Sequence, residues 1–203
     1  MDHVSGTRLQ HHHKYPKDWN TLSRPRTNVF GLIDHSNKKK IISPYMDVFS
    51  HDSNMVGTQL IRWLGMYRSS SETRRSTYLH IQGDNAVKDN KNKYLFGTIG
   101  CILHEEVFDI IDLEMNEKGH THTDIDALFR WISQLLNKCS CPTWSHYLET
   151  YLAMAFKNMR FPPKVLPIDY VFDIKNFLEP YLLDIEYFSG YRAFRFQVRT
   201  LRP

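Results

Sequence analysis

The sequence predicts an α/β fold, a mixed sheet flanked by helices, followed by a C-terminal α+β appendage. Three observations carry this. Short apolar runs alternate with helical periodicities through the middle of the chain. The first two runs are close enough to form a hairpin, while later ones are separated by helices long enough for crossovers. A last strand and two amphipathic segments follow the main alternation. The chain has 203 residues, 41% of them hydrophobic, 13% aromatic and 24% charged, which suits one folded domain with an appendage. The expected division is residues 1–26 as a flexible arm, 27–139 as the core, and 140–203 as an appendage packed on it.

Arg24-Pro25-Arg26 marks the end of the arm. Val29 to Ile33 is an apolar run that reads as a buried strand, and the polar segment His35 to Lys38 reads as a turn. Lys40 to Ser43 returns as the second arm of a hairpin, with Tyr45 to Phe49 as its continuation or a third strand. Val56, Leu60, Trp63, Leu64 and Tyr67 fall on one face of a helix. Tyr78 to Gln82 is the next strand, ending at Gly83-Asp84. Tyr94, Leu95, Ile99, Ile102 and Leu103 mark a second helix, with Asp89 or Asn90 near its N-cap. Val107 to Leu113 is a further strand. The clearest helix carries Ile125, Leu128, Phe129, Ile132, Leu135 and Leu136. The appendage holds amphipathic segments around Tyr147–Phe156 and Asp173–Leu183, and an alternating strand from Ala193 to Val198.

Hairpin, helix, strand, helix, strand, helix is the element order of the ribonuclease H-like fold. There the first strand and the strand after the first helix are parallel neighbours. Asp34 and Asp84 would then stand at adjacent carboxyl ends, where open α/β sheets place their sites.

Composition narrows the function classes. The net charge of +4 permits an acidic partner without requiring one. The cysteines are Cys101, Cys139 and Cys141, too sparse for a disulfide framework and suited to a reducing, intracellular compartment. No apolar run is long enough for a membrane span, and Met1 to Asn20 has no apolar signal region. There is no Gly-rich phosphate loop, no Gly-x-Ser-x-Gly elbow and no Cys-x-x-Cys pair, so serine or cysteine nucleophilic catalysis lacks support.

Acidic segments carry the chemistry. Gly31-Leu32-Ile33-Asp34-His35 and Gly83-Asp84-Asn85 each put an Asp where a buried strand surfaces, and Gly119-His120-Thr121-His122-Thr123-Asp124-Ile125-Asp126 opens a helix with acids and histidines. Three carboxylates brought together suit a pair of divalent cations, Mg²⁺ or Mn²⁺, because these ions want hard oxygen ligands and open positions for phosphate. Asp34, Asp84 and Asp126 are the candidate catalytic and metal-holding acids. Asp124, His120 and His122 are further candidate ligands. Each has a plainer reading beside it. Asp34 suits a turn with Ser36 and Asn37. Gly83-Asp84 suits a strand-to-helix turn. Thr123 and Asp126 suit a capping box, with Asp124 complementing the helix dipole. Asn85, Lys88, Lys91 and Lys93 are candidate nucleic-acid contacts, or a solvated face. Arg192, Arg195 and Arg199 alternate with apolar residues and suit a DNA path or an exposed strand face equally. His120, His122 and Asp124 also match a His-x-His-x-Asp zinc motif, although Ile125 stands where that motif continues with His.

The blocks Asn28 to Ser36, Asp84-Asn85 with Asn90-Lys91-Asn92-Lys93, and Gly119 to Phe129 resemble an uncharacterised family of transposon-derived eukaryotic domains. The resemblance spans roughly residues 27–136, and Asp173 to Leu178 is similar to the family's end. It implies a ribonuclease H-like core of the transposase or integrase type, with Asp34, Asp84 and Asp126 as the acidic triad and His120 and Asn85 beside it. The implied reaction is in-line attack on a DNA phosphodiester by water or a 3′-hydroxyl. DNA is the implied partner, and the nucleus the compartment that such a partner suggests. Where some relatives read Asp-Gly-Met-Asp-Gln, this chain keeps one of the two acids, at Asp34. Three functions are therefore carried: a metal-dependent nuclease or strand-transfer enzyme, a catalytically inactive nucleic-acid- or protein-binding module, and a zinc hydrolase using His120, His122 and Asp124.

Overall fold

The computed structural model describes residues 2–8, 26–69, 76–83, 91–116, 124–136, 143–185 and 190–197. It is an α/β structure with two small sheets, and the chain divides into two compact units. Unit 1 is Met1–Phe49 with His122–Asp169; unit 2 is Ser50–Thr121 with Tyr170–Pro203.

In unit 1 the strands are β1 (Asp2–Arg8), β2 (Arg26–Asp34), β3 (Lys39–Met46) and β6 (Lys164–Val165), in the order β1-β2-β3-β6. The expected hairpin is present: β2 and β3 pair antiparallel from Thr27↔Met46 to Asp34↔Lys39. Its turn places Lys38 at φ 53°, in the left-handed region. β3 runs on through Tyr45, so no separate third strand follows. Helix α3 (Asp124–Leu136) covers β2. Gly31 makes close approach feasible, since a Cβ there would lie 3.0 Å from the Phe129 ring. Val29 and Ile42 form the core with Ile125, Leu128, Phe129 and Ile132 of α3. Tyr147, Leu152, Ala155 and Phe156 complete it. They come from a chain stretch running through α4 (Trp144–His146), a π-helical segment Tyr147–Leu152 and α5 (Ala153–Phe156).

In unit 2 the strands are β4 (Tyr78–Gly83), β5 (Ile110–Met115) and β7 (Ala193–Gln197), with β4 and β5 parallel and β7 antiparallel to β5. Alternation decides their faces. Ile81, Ile111, Leu113 and Met115 are buried, while the intervening residues are polar. Helix α1 (Ser53–Ser69) and helix α2 (Lys93–His104) supply much of the remaining core. Phe96 of α2 lies 4.7 Å from Phe194 and 5.5 Å from Phe196, ring to ring. Trp63, Tyr67 and Phe108 form a second aromatic cluster. Helix α6 (Ile174–Leu178) fits against α1 and α2 where glycines make room. A Cβ on Gly57 would come within 2.5 Å of Ile174, and one on Gly97 within 2.9 Å of Leu178 and Leu182.

Several expectations are corrected. Residues Asp2–Arg8, expected in a flexible arm, pair antiparallel with β2. That pairing takes the edge of β2 away from β3, so β2 is flanked by β1 and β3. The strand after the first helix, β4, pairs with β5 instead of β2. The residues expected as one appendage divide, 143–169 going to unit 1 and 170–203 to unit 2. Asp89 and Asn90, expected near the N-cap of α2, lie outside the described residues; the N-cap is Asn92, whose side chain accepts from the Tyr94 and Leu95 amides.

Candidate functional site

Asp34 is the last residue of β2. Its carboxylate accepts from the Asn37 backbone amide at 3.0 Å and from the Asn37 side-chain amide at 2.8 Å. This is the side chain's local work: it closes the β2–β3 turn. Asp124 and Asp126 are in the first turn of α3, Asp124 exposed and Asp126 half-buried, where carboxylates complement the exposed N–H groups. Asp84, Asn85, Lys88, His120 and His122 lie outside the described residues. Among the described residues, no three His, Cys, Asp or Glu side chains are grouped so as to hold a metal ion.

The carboxyl ends of β4 and β5 are tied together, the Asn116 amide donating to the Gly83 carbonyl at 2.9 Å. β7 closes on the same end, the Met115 amide donating to the Arg192 carbonyl at 2.7 Å. The segment bearing Asp84 leaves from Gly83, and the one bearing His120 leaves from Asn116. Two described cations stand here. Lys91 is only 1% exposed, and its ammonium lies 6.0 Å from the centre of the Phe194 ring. Burial holds its pKa below the ordinary lysine value, and the neighbouring positive charge of Arg192 acts in the same direction.

Lys93 does not present a free charge. Its ammonium is 3.0 Å from Glu179 and 3.0 Å from Asp184, and these hydrogen bonds raise its pKa. Of the proposed lysine contacts, Lys91 is thus buried and Lys93 is committed to two carboxylates.

A polar constellation that the sequence reading passed over lies on the open face of the unit 2 sheet. Arg195 grips Asp112 with two bonds, Nε to Oδ1 at 2.8 Å and Nη2 to Oδ2 at 2.7 Å. The Tyr78 hydroxyl donates to Asp112 at 2.9 Å, and His80 Nε2 is 3.0 Å from Glu114. The Arg195 fork, with help from Tyr78, lowers the Asp112 pKa to about 2; hydrogen bonding to that carboxylate raises the pKa of Tyr78. The polar positions of β4 and β5 were visible as a period of two. Their pairing with Arg195 required knowing that β7 joins β5. Arg195 is therefore part of a side-chain network on an exposed strand face.

A family model described as a domain of unknown function (DUF7869) matches residues 17–201. The chain belongs to the DUF7869 family. The match takes in described parts of both units of this DUF7869 domain, including β6, α6 and β7. Comparison with curated proteins and with solved structures gives no match.

Proposed function

We propose that this DUF7869 domain is a transposon-derived, ribonuclease H-like domain that cleaves or joins DNA phosphodiesters with Mg²⁺ or Mn²⁺. Asp84 is the acid on which the proposal rests. The observation that supports it best is the parallel β4–β5 pair. Its adjacent carboxyl ends send out the segments that carry Asp84 and His120, and such ends are where α/β sheets build their sites. The donor set suits the metals, since carboxylates are hard oxygen ligands for divalent cations. Bound cations would stabilise the charge that develops on the attacking and leaving oxygens.

Calorimetric titration of the protein with Mg²⁺ and Mn²⁺ tests the proposal. The wild type is expected to bind and Asp84→Asn to lose that binding. A wild type that binds neither ion overturns the metal-dependent reading.

A second reading has specific support: a catalytically inactive, nucleic-acid- or protein-binding module built on the same elements. Asp34 is engaged by its own turn, its carboxylate accepting two bonds from Asn37. This reading predicts DNA or protein binding that is indifferent to chelators and unchanged in Asp84→Asn.

A further inference from the structure

Helix α6 and the 3₁₀ turn after it (Glu179–Tyr181) carry one buried and one exposed set of large apolar side chains. Ile174 and Leu178 point inward, into the space left by Gly57 and Gly97. Phe177 and Tyr181, four residues apart, point outward with ring centres 6.3 Å apart, and they are 68% and 76% exposed. The alternation continues past the turn. Leu182 packs over Gly97, and Leu183, the next residue, is 86% exposed. A surface helix ordinarily turns one apolar stripe to its core and a polar face to water. Here the core stripe is already filled, so the second set of large apolar side chains has no work within the described residues. Exposed apolar clusters of this kind mark contact surfaces.

The charges around the cluster select the partner. Glu179 lies between Phe177 and Tyr181 in the chain, and Asp184 follows Leu183. Both carboxylates turn to the single ammonium of Lys93, at 3.0 Å each, and the Glu179 side chain is 54% and that of Asp184 90% exposed. Two carboxylates against one ammonium leave the rim of the aromatic cluster negative. Such a rim repels a phosphate backbone and an anionic membrane surface, and it attracts Lys and Arg.

We infer that Phe177, Tyr181 and Leu183, rimmed by Glu179 and Asp184, form a docking surface for a basic amphipathic segment of a partner protein. The partner would lay its apolar stripe on the three side chains and set its cations against the two acids, the helix-on-apolar-face mode of recognition. Tyr and Phe are suited to anchor it, since each offers a large rigid area at small entropic cost. This inference is independent of any metal chemistry at Asp84.

The test is fluorescence anisotropy with two labelled amphipathic helical peptides, one of leucine and lysine and one of leucine and glutamate, titrated with the full chain. The leucine–lysine peptide is expected to bind saturably and the leucine–glutamate peptide to bind far more weakly. The double variant Phe177→Ser/Tyr181→Ser is expected to lose about tenfold in affinity. Asp184→Asn is expected to weaken binding less and to flatten its salt dependence. All these side chains are solvent-facing, so thermal unfolding should confirm that the variants fold. Equal binding of the two peptides, no saturable binding, or unchanged affinity in the double variant would overturn the inference. So would wild-type self-association that the double variant abolishes, which would give the surface to a second copy.

Discussion

Tyr78 on β4 stands opposite Ile110 on β5 but donates its hydroxyl to Asp112, two residues further along, at 2.9 Å. The same diagonal recurs twice. His80, opposite Asp112, reaches Glu114 at 3.0 Å, and Gln82, opposite Glu114, reaches Asn116 at 2.7 Å. Side chains in strands lean along the strand direction, so a diagonal partner can be closer than a direct one. The result is a three-rung ladder on the exposed face of a parallel pair. Parallel strands are usually covered on both faces. Here the ladder lets one face meet water with its polar groups paired.

That network sets an acid limb to stability. Asp112 has its pKa lowered to about 2 in the fold, against an ordinary value of 3.8. The folded state therefore binds this proton less readily than the unfolded chain. Its contribution is fully present above about pH 4 and is lost as pH falls through about 2. Chemical denaturation of wild type and Asp112→Asn across this range should show their stability difference shrinking toward low pH. A difference that stays constant down to pH 2 would refute the assigned role.

Glycines on two helices are expected to answer oppositely to alanine. Nothing lies within 4 Å of a Cβ built on Gly100 in α2, so Gly100→Ala should gain the helix propensity difference, about 0.8–1 kcal/mol. Gly57 in α1 faces Ile174, and its added methyl would stand 2.5 Å from that side chain. Overpacking costs roughly 1–3 kcal/mol and should exceed the same propensity gain. Urea denaturation of the two variants is the measurement. A stabilised Gly57→Ala would mean that α6 yields more readily than its close packing implies.

Asp34 permits a separation of structure from chemistry. Removing its two bonds to Asn37 by Asp34→Ala should cost about 1–2 kcal/mol, the net worth of two intramolecular hydrogen bonds. Asn37→Ala should reproduce about half of that loss, because it removes the side-chain bond and keeps the backbone one. If Asp34 also holds a metal ion, Asp34→Ala alone should weaken Mn²⁺ binding. Equal Mn²⁺ affinity in both variants would confine Asp34 to the turn.

Much of the local structure was legible because it is encoded locally. The Val29–Ile33 run, its polar turn and its return gave the β2–β3 hairpin. Ile125, Leu128, Phe129 and Ile132 gave the buried face of α3. The sheet neighbours were not legible. Nothing in Asp2–Arg8 announces that it will take the edge of β2, and Arg195 meets Asp112 across a separation of 83 residues. Strand pairing depends on which distant edge satisfies which backbone, and hydrophobic periodicity does not record that choice. The lysines show the same limit. Lys91 and Lys93 are two residues apart in a polar stretch, yet one is buried against Phe194 and the other is fixed by Glu179 and Asp184.

Lys91 gives the last prediction, on the alkaline side. Burial and the positive charge of Arg192 lower its pKa in the fold, from an ordinary value of 10.5. The unfolded chain therefore binds the Lys91 proton more strongly than the native state does. Between the folded and unfolded pKa values, stability must rise with pH, because the unfolded state carries the extra proton. Other groups titrate in the same region, and Tyr78 and Tyr94, with pKa values raised by their carboxylate partners, act in the opposite direction. The informative quantity is thus a difference. Wild type should gain stability relative to Lys91→Met as pH rises toward about 10.5, whichever variant is the more stable at neutral pH. Denaturant titrations of both proteins at a series of alkaline pH values would measure it. A difference that is flat, or that moves the other way, would show that Lys91 keeps its charge as easily inside the fold as in water.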